Sequence, residues 1–262
     1  ASDQGASIDN ETFYAGISHK YQLSKTISNT TVLFGSSSSI KNPFITNYEF
    51  RKENNMGYRS YFSYNSGLKL NLEIQLGTEG QKGWYDIDNY DNENGFPTNP
   101  QSHDKLENWQ AVYFLRTKIT PLKNWNIEAS IGFNNNNIQY EEIYPIASNT
   151  KEQINFEDRW MPRLGTSYLA LPNLAIRASI SSGFSAPTIA EVRSSNNLIN
   201  RDIKPESGIN REVGFRWEML NNQVVFDLAY YQYQMKNAII RQVDESGAEF
   251  YQNAGKIKQN GF

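Results

Sequence analysis

Hard oxygen donors are concentrated in one stretch, Trp84-Tyr-Asp-Ile-Asp-Asn-Tyr-Asp-Asn-Glu-Asn-Gly95. Asp86, Asp88, Asp91 and Glu93 are of the type calcium takes, which makes them candidate metal ligands. Their spacing departs from the helix-flanked calcium loop, because Gly95 falls too late and no closing bidentate Glu follows. A solvated acidic loop is the plainer reading. Trp84, Tyr85, Tyr90, Phe96 and His103 share the region, and their rings are candidates for stacking on a planar chelate, a sugar or a porphyrin, or on one another. Further along, Arg193, Arg201 and Lys204 are cations that would focus an anionic ligand.

Covalent and acid–base chemistry find no support. There is no Gly-x-Ser-x-Gly elbow, no Gly-Lys-Ser/Thr phosphate loop and no His-Glu-x-x-His. Glu141 and Glu142 are adjacent, and neighbours on a strand point to opposite faces. Cysteine is absent, which removes disulfides, thiolate metal sites and cysteine nucleophiles. The two histidines, His19 and His103, are too few for a centre built on imidazole. The formal net charge of -3 gives no basic face for nucleic acid. The expectation is a binding protein, not an enzyme, with no cofactor beyond calcium in a loop and no nucleic-acid partner.

The elements that must position these residues are strands. Leu68, Leu70, Leu72, Ile74 and Leu76 alternate with Lys69, Asn71, Glu73 and Gln75. Trp125, Ile127, Ala129, Ile131 and Phe133 alternate with Asn126, Glu128, Ser130 and Gly132. The same period of two runs through Leu174–Ser181, Glu212–Met219 and Val224–Tyr230. Weaker strands are expected near Phe13–Ile17, Thr30–Ser36 and Gly57–Tyr64, with Trp109–Ile119 and Arg159–Ala170 completing about ten. Connections alternate in length. Tight turns are expected at Ser24–Ser28, Asn65–Gly67, Pro121–Asn124, Pro172–Asn173 and Leu220–Asn222. Long polar loops are expected at Ser37–Met56, Thr78–Asn108, Asn134–Phe156, Gly183–Asn210 and Arg241–Glu249.

This pattern predicts an all-β, antiparallel, up-and-down transmembrane β-barrel segment, with short turns at one end and long loops at the other. No apolar run approaches the roughly 20 residues of a membrane helix. Barrel strands are half polar, so a mean hydropathy of -0.66 is compatible with spanning by strands. Trp109, Trp125, Trp160, Tyr168, Trp217 and Tyr230 cluster near the ends of the apolar faces, as interfacial aromatics do. Glu73, Glu128, Arg177, Glu212, Arg216, Glu218 and Asp227 fall on the polar face, where a dry core would penalise them and a wet lumen would not.

Gly183-Phe-Ser-Ala-Pro-Thr-Ile-Ala-Glu191, then Asn200-Arg-Asp-Ile-Lys-Pro-Glu206, then Glu212-Val-Gly214 resembles the barrel signature of TonB-dependent receptors. Tyr251-Gln-Asn-Ala-Gly255 before Gly261-Phe262 is similar to the family's next block, and Lys41–Tyr48 to loops of its Bacteroidetes branch. Ser185 stands where the family usually has a basic residue. The motif's own physics is structural. Pro187 suits a strand exit, Pro205 favours extended backbone before a strand, and Glu206 is placed to accept hydrogen bonds in the turn.

The resemblance implies residence in the outer membrane among its lipids and uptake of a scarce nutrient, with a ferric siderophore or similar iron chelate foremost. It also implies coupling to the TonB complex through a plug domain. The family's plug and closing strands are not in this sequence. Residues 1–262 are therefore expected to be a partial barrel domain from inside a larger receptor. The competing reading is a soluble glycan-binding β-sandwich, and a further one is a small self-contained barrel.

Overall fold

The computed structural model describes residues 4–45, 47–67, 71–145, 151–194, 198–221, 223–245 and 247–262. Eleven strands follow one another across a single antiparallel sheet. They are β1 (Asp9–Gln22), β2 (Ile27–Pro43), β3 (Tyr48–Asn65), β4 (Glu73–Glu93), β5 (Phe96–Leu122), β6 (Trp125–Tyr144), β8 (Arg159–Leu171), β9 (Leu174–Ser185), β10 (Glu206–Met219), β11 (Val224–Lys236) and β14 (Lys256–Gly261). A short β7 (Glu152–Asn155) adds to the upper part of β6, and β12 (Ile239–Val243) pairs with β13 (Glu249–Asn253) as a separate hairpin. One helical turn, α1 (Ile189–Val192), lies between β9 and β10.

The register confirms the alternation. Leu76 stands opposite both Phe62 and Leu115, and Leu115 opposite Ile131. Ile176 stands opposite Tyr168 and Phe215, and Phe215 opposite Leu228. These side chains are largely exposed, so the apolar face has no second layer over it. A sandwich would bury that face against another sheet, and among the described residues none is present. The soluble-sandwich reading is corrected on that ground.

Aromatics mark the edges of the apolar face. Trp125 pairs with Tyr168 near the tight turns, and the Trp125 indole donates to Thr166 Oγ1 at 2.8 Å. Toward the other end Phe133 packs on Trp160 with centroids 4.8 Å apart. On the opposite face the expected charges neutralise one another. Arg116 meets Glu128 at 2.6 Å. Arg177 meets Asp227 at 2.6 Å and Glu212 at 3.6 Å, and Arg216 meets Glu218 at 3.1 Å.

The tight turns fall close to expectation, at 23–26, 123–124, 172–173 and 220–223; Asn222 lies outside the described residues. The turn after β3 is longer, because β4 starts at Glu73. Leu68, Lys69 and Leu70 of the expected strand lie outside the described residues. The larger correction concerns the long loops. Ser37–Met56 is strand except for 44, 45 and 47, with Thr46 outside the described residues, and Thr78–Asn108 is strand except for Asn94 and Gly95. The first half of Asn134–Phe156 continues β6 as far as Tyr144.

The cause is an inversion of amphipathicity along the same strands. Up to about Tyr58, Gly80, Trp109 and Phe133, the exposed face is apolar and the other polar. Beyond them the exposed face carries Lys52, Lys82, Lys105 and Glu141, and the other face carries Ile87, Leu106, Ile138 and Tyr140. The latter four are buried. The β4–β5 tip is a two-residue connection whose Asn94 and Gly95 have φ of 54° and 87°, as a primed hairpin turn requires.

Candidate functional site

The segment between β9 and β10 folds as a strap over the buried face of the strand extensions. Thr188 and Glu191 form a reciprocal capping box: the Glu191 amide donates to Thr188 Oγ1 and the Thr188 amide to Glu191 Oε2. That fixes one helical turn whose Ile189 and Val192 point into a cluster with Ile87, Leu106, Ile138, Tyr140, Phe156 and Ile203. The apolar positions of the family-like motif thus anchor the strap to the wall.

Arg193 is the strap's polar anchor. Its side chain is 1% exposed and pairs with Asp104 at 2.6 Å. It also donates to Ser102 Oγ at 2.8 Å and lies 3.7 Å from Glu49. The expectation that Arg193 offers a free cation is corrected: burial would forbid that charge without partners, and Asp104 is its main one. Arg201 is exposed but pairs with Glu152 at 2.9 Å and covers the Tyr140 ring at 5.7 Å. Lys204 is fixed through its backbone, its amide donating to Asn253 Oδ1 at 2.8 Å and its carbonyl accepting from Asn253 Nδ2 at 2.9 Å. Glu206 accepts from the Ile239 amide at 2.8 Å, the role its place in the motif suggested.

The aromatic and acidic candidates do not form one site. Trp84, Asp86, Asp88, Tyr90 and His103 lie on the exposed face, whereas Tyr85 lies on the opposite one. Lys82 sits over Trp84 at 5.2 Å. Tyr90 meets Phe50 edge-on at 5.9 Å. Phe96 is exposed at the hairpin tip. Asp91 accepts from Gln101 Nε2 at 2.8 Å and Asn99 Nδ2 at 3.2 Å, and Glu93 ends β4. The four carboxylates therefore do not converge. Asp86 and Asp88 instead gather with His103, their ligand atoms within 4.8 Å of one another, and His103 Nε2 is 2.9 Å from Asp86 Oδ1. Two carboxylates and an imidazole fall short of the six to eight oxygens calcium takes.

Between strap and wall lies a cavity of about 420 Å³. Its lining includes Arg51, Glu53, Tyr85, Asn108, Asn134 and Asn136, closed on the strap side by Phe184–Ala190. Asn55 Oδ1, Asn108 Oδ1 and the Tyr85 hydroxyl converge over Gly83, where a Cβ would meet them at 2.6, 2.4 and 2.7 Å. Burial, then the neighbouring Glu53 carboxylate, pushes the Tyr85 phenol up, so it stays a neutral donor; it donates to Asn55 Oδ1 at 3.3 Å. Tyr85 was among the candidates read from sequence; the asparagines were missed because the runs Asn54-Asn55 and Asn134-Asn-Asn-Asn137 read as loop composition. Carrying the period of two past Phe133 would have placed Asn134 and Asn136 on one face.

A family model described as TonB dependent receptor-like, beta-barrel, matches residues 2–262. No functionally curated protein matches the sequence. Among solved structures, the ferric-catecholate import receptor Fiu from K12 E. coli aligns with a TM-score of 0.70 at 10% identity, over 97% of this chain and 44% of that one. The siderophore receptor PiuA from Acinetobacter baumannii aligns with a TM-score of 0.71 at 15% identity, over 96% and 43%. The ferric citrate transporter FecA, unliganded, aligns with a TM-score of 0.73 at 14% identity, over 97% and 38%. The chain thus spans less than half the length of each of these receptors.

Proposed function

Because this chain belongs to the TonB-dependent receptor β-barrel family and so resides in the outer membrane, we propose that it forms part of the wall and mouth of a receptor taking up a scarce nutrient as a ferric chelate. The observation that carries the reading is the strap folded over the buried face of the strand extensions, which leaves a cavity of about 420 Å³ at the loop end. That volume suits part of a small chelate. The names of the similar structures include a siderophore receptor and a ferric citrate transporter, which support iron, beside one copper transporter. In this reading the wall performs no chemistry. It presents fixed hydrogen-bonding groups, holds the strap, and leaves energised release to the TonB complex acting through a plug. Outer-membrane lipid covers the apolar face.

The test is uptake of radiolabelled iron by an outer-membrane-receptor-deficient host expressing the full-length protein. Ferric chelates should enter only while the proton-motive force is maintained. Iron uptake that is the same with and without the protein would refute the reading.

A further inference from the structure

On β11 the outward apolar run Val224, Phe226, Leu228 and Tyr230 gives way on the same face to Gln232, Gln234 and Lys236. The neighbouring chain repeats the change. Phe262 packs on Tyr230 with centroids 5.6 Å apart, and Asn260, Lys258 and Lys256 follow above it along β14. Lys256 stands directly opposite Lys236, with Lys258 on the diagonal. Like charges directly opposite one another destabilise a strand pair, and among the described residues no acid pairs with any of the three. Elsewhere on this outward face the cations are matched, Lys82 and Lys151 sharing Glu107. The three lysines rim a groove of about 410 Å³ whose apolar floor is Trp160, Phe184 and Ile209 and whose lining holds no carboxylate. Its fourth cation, Arg159, is engaged by Glu157 at 2.6 Å. Tyr230 and Phe262 are rings of the kind that settle at the membrane boundary. Lys258 lies four residues beyond Phe262, about 13 Å along the strand and about 10 Å along the membrane normal at the usual tilt. The ammonium groups therefore stand in the headgroup layer.

We propose that this groove docks the phosphorylated headgroup of an outer-leaflet glycolipid. A phosphate seated between Lys236 and Lys256 accepts hydrogen bonds from both ammonium groups and from Lys258, which turns a repulsive pair into a clamp. A phosphate monoester carries nearly two negative charges at neutral pH, so it answers three cations better than a single carboxylate does. The adjoining acyl chain lies along Trp160 and Ile209, which continue the apolar face. Membership of an outer-membrane family supplies the setting, and the inference is independent of which nutrient is taken up.

The experiment is titration of the full-length protein, purified in non-ionic detergent, with a bisphosphorylated glucosamine glycolipid (lipid A) and with the same lipid after phosphatase treatment. The phosphorylated lipid is expected to bind about tenfold more tightly or better, with the difference shrinking at high salt. Joint replacement by Lys236→Gln, Lys256→Gln and Lys258→Gln should weaken it by at least about tenfold. The melting temperature of that variant in lipid-free detergent should hold or rise, because the like-charge repulsion is gone. Joint replacement of the three by Arg should keep the affinity. Equal binding of the dephosphorylated lipid, or unchanged affinity in the glutamine variant, would overturn the proposal. Inorganic phosphate competing as strongly as the lipid would reassign the groove to a free anion. A dimer in lipid-free detergent that the glutamine variant abolishes would give the face to a second copy instead.

Discussion

Arg193 shows how burial decides what a charged residue does. From sequence it is one of three cations near a mouth; in the fold its guanidinium is enclosed by Asp104, Ser102 and Glu49. Removing one partner of a buried pair leaves the other charge stranded, at a cost of about 3–5 kcal/mol. Arg193→Ala is therefore expected to release the strap. Hydrogen exchange should show lost protection across 189–194 and 198–203 with the membrane strands unchanged, and protection that persists would exclude the anchor. Glu107 gives a pH-dependent case outside the membrane band. Hydrogen bonds from Lys151, then Lys82, hold its carboxyl below the ordinary carboxylate range, at 2.7 and 2.8 Å. A depressed folded pKa contributes stability above the unfolded value and loses it as pH falls through the folded one. Exchange across Lys151–Asn155 should therefore quicken on acidification below that range. Glu107→Gln should make it fast at every pH, and a wild-type profile in that variant would contradict the assignment.

The strands in the apolar band were legible because one face had to be apolar and the other polar. Trp125–Phe133, Leu174–Ile180 and Val213–Met219 lie as their alternation predicts. The extensions were illegible for a related reason. Where lipid gives way to water the alternation changes sense, and Trp84-Tyr85-Asp86-Ile87-Asp88 looks like a loop if only the apolar-out phase is followed. The Asn94-Gly95 hairpin signal was present and would have split the presumed loop into two strands. Sequence reached the strap's motif, Glu206 and Tyr85, but not the cavity that Tyr85 lines, which depends on residues from β3, β4, β5 and β6 and on the strap itself. At this scale the tip hairpin is testable. Gly95→Ala places a Cβ at a φ of 87°, a conformation costing an L-residue about 1–2 kcal/mol. Proteolysis between Asp91 and Gln101 should rise while global melting stays fixed; equal cleavage would mean that the turn is not as described.

Taken whole, the described strands other than the β12–β13 hairpin form one sheet between two solvents, lipid on one face and an aqueous or protein-filled interior on the other, with its polarity reversed above the membrane. Paired substitutions expose the asymmetry: Ala178 lies on the apolar face opposite Val213, and Ser179 on the other face opposite Glu212. Ala178→Lys in the full-length protein is expected to cost up to about 2–4 kcal/mol, depending on depth, whereas Ser179→Lys should be nearly neutral. Equal costs would argue against a lipid-facing side. The most direct measurement uses the absence of native cysteine. Single cysteines along β6, each spin-labelled in the full-length protein in bilayers, would be probed with oxygen for lipid and a nickel chelate for water. From Ile127 to Phe133 the odd positions should be oxygen-accessible and the even ones not. Beyond Asn134 the odd positions should become nickel-accessible while Ile138 and Tyr140 are shielded from both. A single unbroken phase along the whole strand, or water access on both faces throughout, would contradict the account.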